Sequence, residues 1–331
     1  MPLRKKLRLH GSQPDTSSSP HPDLLSDLPD DVLMLILTRL SASASSPLDL
    51  LSVSVTCKRM NKLSMSPAVL RELSGESMAV KASHWSESFH RFLRRSVKSG
   101  NLEAHYRLGM IQFYCLGHHA SGSSLMAKAA MMNHAPSLFS LAVIHFNASG
   151  KSKDKKDLEA GVALCVRAAY LGSIDALREL GHCVIDGYGI RRDFHHGRRL
   201  ILQASLHELQ VLKLSGSVMS LHQPDATHRF LREWFEANRI SAACGGVSGL
   251  KLKLCSNEMC GRVETRANEF RRCSVCSAAN YCSRSCQALH WRSRHKDVCA
   301  RNGIAFDDAE GGGPNHGVNV DFDGGMNVGF I

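Results

Sequence analysis

Gly100-Asn101-Leu102-Glu103-Ala104 leads to Leu108-Gly109, Asn133-His134-Ala135-Pro136-Ser137 to Leu141-Ala142, and Gly172-Ser173-Ile174-Asp175-Ala176 to Leu180-Gly181. The three stretches start 33 and 39 residues apart, and small residues recur at the same places. A period in the thirties with helical patterning marks a solenoid of helix pairs, in which each unit buries its apolar face only against its neighbours. Ala129-Ala130 and Ala168-Ala169, just ahead of two of the starts, let paired helices approach closely. The second repeat departs from the others, with Ala142 in place of the glycine and an added Lys/Asp loop from Lys151 to Asp157. The pattern predicts a mainly α, multidomain chain with helical repeats and flanking helices over 71–240, capped by Phe230, Leu231, Trp234 and Phe235. His118-His119 and His195-His196 read as loop residues.

Upstream, Leu28-Pro29-Asp30-Asp31 opens a run to Leu40 with helix signals: proline near the start, acids in the first turn, Arg39 near the end. Apolar residues at 32, 33, 36, 37 and 40 share one wide face. A second helical piece covers Asp49 to Val53, with Thr56-Cys57-Lys58-Arg59-Met60 and Leu63 beyond, and a third starts near Pro67. Fewer than 50 residues cannot bury so many leucines internally. Leu28, Pro29, Leu33, Ile36 and Leu37 are therefore expected to face a neighbour or a partner.

Downstream, the spacing reads Cys255-x4-Cys260, Cys273-x2-Cys276, Cys282-x3-Cys286 and His295-x3-Cys299. Four pairs at chelating separations supply eight ligands, enough for two closed tetrahedral Zn²⁺ sites. A module of 45 residues with so little apolar content folds only around metal. Closed sites leave no open coordination position, so the zinc is structural. Gln287 and Trp291 lie one helical turn apart and either line a peptide groove or, for Trp291, pack the miniature core. His290 reads as a surface residue, residues 241–254 as a linker, and Cys57, Cys115, Cys165, Cys183 and Cys244 as buried spectator thiols.

Residues 1–23 and 302–331 hold few apolar residues and are expected to be a disordered basic leader and a disordered acidic, Gly-rich tail. The leader's Arg4, Lys5, Lys6 and Arg8 suit a nuclear import signal, with no secretory signal or membrane-length apolar run after them. The formal charge is +11, but seven thiolates and two Zn²⁺ lower the +7 of residues 251–301 to about +4. Arg262, Arg266, Arg271, Arg272, Arg284, Arg292 and Arg294 come with no reading helix or stacking platform, so a nucleic-acid partner is not expected. Phosphate-cradling loops, a nucleophile elbow and an HExxH helix are all missing.

The chain bears resemblance to three known modules. Residues 24–70 resemble an F-box, through Leu28-Pro29, Ile36, Leu40, Asp49-Leu50-Leu51 and Cys57-Lys58-Arg59. The middle resembles Sel1-like repeats, through its Ala-rich helices, the Leu-Gly step and Gly187-Tyr188-Gly189. Residues 255–299 resemble a MYND-type zinc finger, through Tyr281-Cys282-Ser283-Arg284-Ser285-Cys286-Gln287, Trp291, His295 and Cys299. The finger resemblance implies interleaved ligation, with Cys255, Cys260, Cys282 and Cys286 on one ion and Cys273, Cys276, His295 and Cys299 on the other. It also implies binding of short peptides at Gln287 and Trp291. The F-box resemblance implies three helices that dock a Skp1-like adaptor, and through it a cullin, with Leu28, Pro29, Leu33, Ile36, Leu37 and Leu50 as contacts. This order of modules is similar to a family of plant F-box proteins. It implies a non-enzymatic substrate receptor of an SCF-type ubiquitin ligase, nuclear and/or cytoplasmic, that recruits a protein target. The alternative is a nuclear MYND scaffold in a transcription or chromatin complex.

Overall fold

Each sequence repeat opens a helix by the same device. Gly100, Asn133 and Gly172 adopt positive φ (87, 61 and 89°), and the side chain of the next residue caps the new helix. Asn101, His134 and Ser173 accept hydrogen bonds from the backbone N–H groups of Ala104, Ser137 and Ala176. The computed structural model describes residues 27–215, 224–244 and 252–302. The basic leader, the acidic tail after Asn302 and residues 245–251 of the expected 241–254 linker lie outside the described residues.

The helices of the middle are α5 (Glu87–Lys98), α6 (Leu102–Met110), α7 (His119–Met131), α8 (Ala135–Asn147), α9 (Leu158–Tyr170), α10 (Ile174–Asp186) and α11 (Phe194–Ser215). They pack as the pairs α6/α7, α8/α9 and α10/α11, stacked in order. Glycine sets the crossings. A Cβ added to Gly122 would lie 2.6 Å from the carbonyl oxygen of Gly109, and one on Gly197 would lie 2.7 Å from that of Gly181. In the second pair Ala142 replaces the first glycine, and Gly161 instead makes room for the ring of Phe146. Gly122, Gly161 and Gly197 are thus equivalent, and Ala129, Ala168 and Ala204, each seven residues on, are all fully buried. Two expectations need correction. His118 precedes α7 and His119 begins it, while His195 and His196 lie in the first turn of α11.

The N-terminal unit comprises α1 (Asp30–Ser43), α2 (Pro47–Ser54), α3 (Lys58–Ser64) and α4 (Pro67–Arg71). The second expected helix is split, because Cys57 is extended and its sulfur accepts from the N–H of Met60 to start α3. Four short helices close a core that three would leave open, and this corrects the expected partner face. Leu33 and Leu37 are 1% and 2% exposed, and Leu50 is buried beside them with Met60, Val69 and Leu70. Arg59 fastens the entry of α1, pairing with Asp30 at 2.8 Å and donating to the carbonyl of Leu28 at 2.5 Å.

That core continues into the solenoid through Leu93, Ala104, Leu108 and Ile111. Asn101 stitches the two together: besides capping α6, its Nδ2 donates to the carbonyls of Leu70, Arg71 and Leu73 at 2.8–3.1 Å. The helix α12 (Ala226–Cys244), expected to cap the array, packs against its first repeat. It returns to the N-terminal side, where Phe230 and Trp234 surround Trp85 with ring centroids 5.6 and 6.3 Å away. Phe230 joins the N-terminal core and its neighbour Leu231 joins a second core, made of the repeats and the cysteine module together.

Candidate metal centres and docking face

The cysteine module is laid out by short backbone pairings that aim its ligands inward. Leu254 bridges Val263, which sets Cys255 beside Cys260. The four-residue loop between them closes through Asn257, whose carbonyl accepts from the N–H of Cys260 at 2.9 Å. An antiparallel pair, β1 (Arg271–Arg272) with β2 (Asn280–Tyr281), delivers Cys273 and Cys282 at opposite ends of its short ladder. The helix α13 (Arg284–His290) carries Cys286 and starts at Ser283, whose hydroxyl accepts from the N–H of Cys286. A π turn over Trp291–His295 then leads into α14 (Lys296–Asn302), so that His295 and Cys299 face the same point.

Two groups of four result. Cys255, Cys260, Cys282 and Cys286 form one, and Cys273, Cys276, His295 and Cys299 the other, with all donor atoms of each group within 4.8 Å. Sulfur separations are 3.5 Å for Cys260–Cys282, 3.6 Å for Cys282–Cys286 and 3.8 Å for Cys273–Cys299. A tetrahedron with Zn–S near 2.3 Å has edges of about 3.8 Å, whereas a disulfide is about 2.05 Å long. Nε2 of His295 stands 3.6 Å from Sγ of Cys276, as a mixed S/N edge requires. The residues therefore fit two structural zinc ions. His290 stays out of both groups. It accepts from or donates to the Tyr281 hydroxyl at 3.0 Å and stacks on His295.

An all-cysteine zinc centre carries a net charge of −2, and a buried cation meets it. Arg262 is 3% exposed, lies 3.5 Å from Sγ of Cys260 and donates to the hydroxyl of Ser140 on α8 at 2.8 Å. Burial alone would pull its guanidinium pKa down, but the Cys260 and Cys282 thiolates outweigh that and hold it well above its ordinary value. The rest of the module is bound to the repeats in the same polar way. The amide of Asn147 donates to the Cys282 carbonyl at 2.8 Å, and Glu179 accepts from the N–H groups of Arg284 and Ser285 at the start of α13. Buried Glu269 accepts from Ser149, Arg284 pairs with Asp186 at 2.5 Å, and Arg292 pairs with Glu208 at 3.3 Å. Arg266, Arg271, Arg272 and Arg294 also have partners within the chain, respectively Ala148, the ring of Tyr188, Asn268 and Glu258. None of this docking was legible from the module's spacing.

Of the remaining site residues, Gln287 and Trp291 are half-buried, and Trp291 meets the ligand ring of His295 edge-on at 5.7 Å. In the N-terminal unit Leu28 is half-buried and Pro29 exposed. Ile36 is 46% exposed, and Val32, Leu35, Leu48, Leu51 and Val55 are exposed as well. Among the spectator thiols, burial pushes those of Cys115, Cys165 and Cys183 up, which leaves them inert. Cys57 departs from that expectation and is exposed. The side chain of Cys244 lies outside the described residues.

Family comparisons agree with this layout. An F-box-like model matches residues 25–74, a plant tetratricopeptide-repeat model 76–177 and a MYND-finger model 255–299. In Arabidopsis thaliana, F-box protein At5g50450 is 50% identical over 90% of this chain and 90% of its own length. The chain belongs to the F-box proteins. A second F-box protein of the same plant, At1g67340, is 48% identical over 91% of this chain and 86% of its own length. Among solved structures, a protective antigen of uropathogenic Escherichia coli with an SLR fold aligns at 19% identity, covering 67% of this chain and 49% of its own, with a TM-score of 0.41. The present chain thus carries, in order, an F-box-like match, a plant tetratricopeptide-repeat match and a C-terminal MYND-finger match. Among the described residues no helix is long and apolar enough to cross a membrane.

Proposed function

We propose that this F-box protein is the substrate-receptor subunit of an SCF-type (Skp1–cullin–F-box) ubiquitin ligase. The observation that carries the reading is the apolar outer surface of α1 and α2 within the F-box match, where Leu35, Ile36, Leu48 and Leu51 remain at least 46% exposed over a closed core. Exposed large apolar residues on two helices that pack together suit a protein-binding face. Ile36, Pro29 and part of Leu28 meet the Skp1-like adaptor directly in this reading, while Leu33, Leu37 and Leu50 shape the face from beneath. The chain acts as an adaptor, and ubiquitin transfer falls to other subunits reached through the cullin. The protein target is held by the repeats and/or the finger surface around Gln287 and Trp291, in the nucleus and/or cytoplasm.

The test is co-purification of the full chain with a Skp1 homologue, wild type beside a Leu35→Asp/Ile36→Asp variant. A stable complex that the variant loses, with two zincs per chain retained in both, is the expected result. A zinc-loaded wild type that forms no complex, or a variant that binds as well, would overturn the reading.

A further inference from the structure

The helix α5 joins the F-box unit to the first repeat, packing on α4 and on α6, and its two sides differ in chemistry. Leu93 and Ser96 are fully buried, with Phe89, Phe92 and Val97 half-buried beside them. Arg91, Arg94, Arg95 and Lys98 are all exposed. Spacings of three and four residues put these four side chains on one continuous face of a single helix, about 10 Å from first to last. Arg71 adds a further cation, since its Nε donates to the carbonyl of Ser99 at 3.2 Å, at the C-terminal end of α5.

No acid answers this face. Among the described residues, none of the four side chains makes a hydrogen bond, an ion pair or a ring contact. Four acids lie between residues 70 and 105, and three of them meet other partners. Glu76 pairs with Arg229 at 2.8 Å, Glu103 with His134 at 3.1 Å, and Glu87 lies 3.7 Å from His90. The fourth, Glu72, is the C-cap of α4. Like charges three and four apart destabilise a helix, and α5 holds four such pairs: 91/94, 91/95, 94/98 and 95/98. The helix C-terminus favours cations only in its last turn, which accounts for Arg95 and Lys98 but not for Arg91 and Arg94. The stripe therefore does not serve the fold, and its complement is an anion. Three of the four residues are arginines, whose planar forks take a carboxylate through two parallel hydrogen bonds. A peptide suits the face better than a nucleic acid does. The stripe is only two helical turns long, and the rings beside it offer no stacking platform. Phe89 and Phe92 stack on each other with centroids 6.2 Å apart, and Trp85 packs against Phe89, Phe230 and Trp234.

We propose that the Arg91–Lys98 face of α5 is a docking site for an acidic, Asp/Glu-rich peptide segment of a protein partner. It lies on a different helix from the apolar face of α1 and α2 and does not depend on an adaptor binding there. The probe is a fluorescein-labelled peptide of alternating Asp and Glu, titrated into the full-length, zinc-loaded chain. Three proteins are compared: the wild type, Arg91→Gln/Arg94→Gln/Arg95→Gln, and Lys151→Gln/Lys153→Gln/Lys155→Gln, which removes the same charge from an exposed loop. The wild type and the loop variant bind the peptide alike, and the α5 variant binds it at least about tenfold more weakly. Added salt weakens the binding of the wild type. The α5 variant melts no lower than the wild type, because glutamine favours a helix and the like-charge contacts are gone. Arg94→Gln alone gives a smaller loss of binding in a chain that keeps seven of the eight exposed or partnered contacts of its neighbours unchanged. No binding by the wild type, or equal binding by all three proteins, would overturn the proposal. An equal loss in both variants would do the same, by leaving net charge alone as the cause. So would tighter, α5-dependent binding of a single-stranded oligonucleotide of equal charge, which would make nucleic acid the occupant.

Discussion

Ile36 and Leu33 are three residues apart on α1, and the structure gives them opposite surroundings. Leu33→Ala removes a side chain with 1% exposure from a closed core and is expected to cost about 2–5 kcal/mol in chemical denaturation. Ile36→Ala should stay within about 0.5 kcal/mol of wild type by the same measurement while weakening adaptor binding. A large stability loss at Ile36 would show that the exposed face is misassigned. Arg262 is the other decisive residue. Arg262→Met leaves the four-cysteine centre without its buried counter-charge, and is expected to destabilise the chain by about 3–5 kcal/mol and to release one zinc more readily to a chelator. Unchanged zinc retention in a colorimetric titration would contradict that role. The ligand cysteines were legible in the sequence because chelation demands short spacing within pairs. Arg262 was not, because its partners Ser140 and Phe139 lie more than 120 positions away.

At the scale of the helix pair, the sequence repeats located all three pair openings correctly, since turn, cap and close-approach glycine are local requirements. Gly122→Ala sets a methyl group against the backbone of Gly109 and Phe113, which cannot yield as a flexible side chain would. The expected loss is about 1–3 kcal/mol, read as a lowered thermal midpoint. Gly172→Ala, with open space around its Cβ, meets only the cost of its positive φ. Equal melting of Gly122→Ala and wild type would contradict the crossing geometry. The N-terminal unit was less legible. An apolar face of five residues over 32–40 is too wide to say which stripe turns inward. The i, i+4, i+8 series Leu33, Leu37, Ser41 is the buried one, with Ser41 donating to the Val69 carbonyl. The destination of α12 was hidden for the same reason, because aromatic residues announce burial but not against what.

At the scale of the whole molecule, the finger is built into the solenoid by buried charged and amide contacts and is not a freely tethered module. Removing both zincs should therefore loosen more than the finger. Amide exchange is expected to rise on α8 and α10, where Asn147 and Glu179 hold Cys282 and α13, and to stay low on α1–α4. Exchange confined to 255–299 after chelation would contradict a shared core. The zinc-bearing end and the exposed face of α1 and α2 then belong to one continuous body, with Asn101 and α12 joining its parts. In the proposed receptor role, that continuity fixes the target at a set position relative to the ligase. The measurement that tests this most directly is amide exchange on the full chain while a purified Skp1-type adaptor is titrated in. New protection over residues 30–55, with the finger and the outer helices of the repeats unchanged, is the result expected of an adaptor docked on α1 and α2. Protection over 255–299 with none over 30–55 would contradict the receptor account.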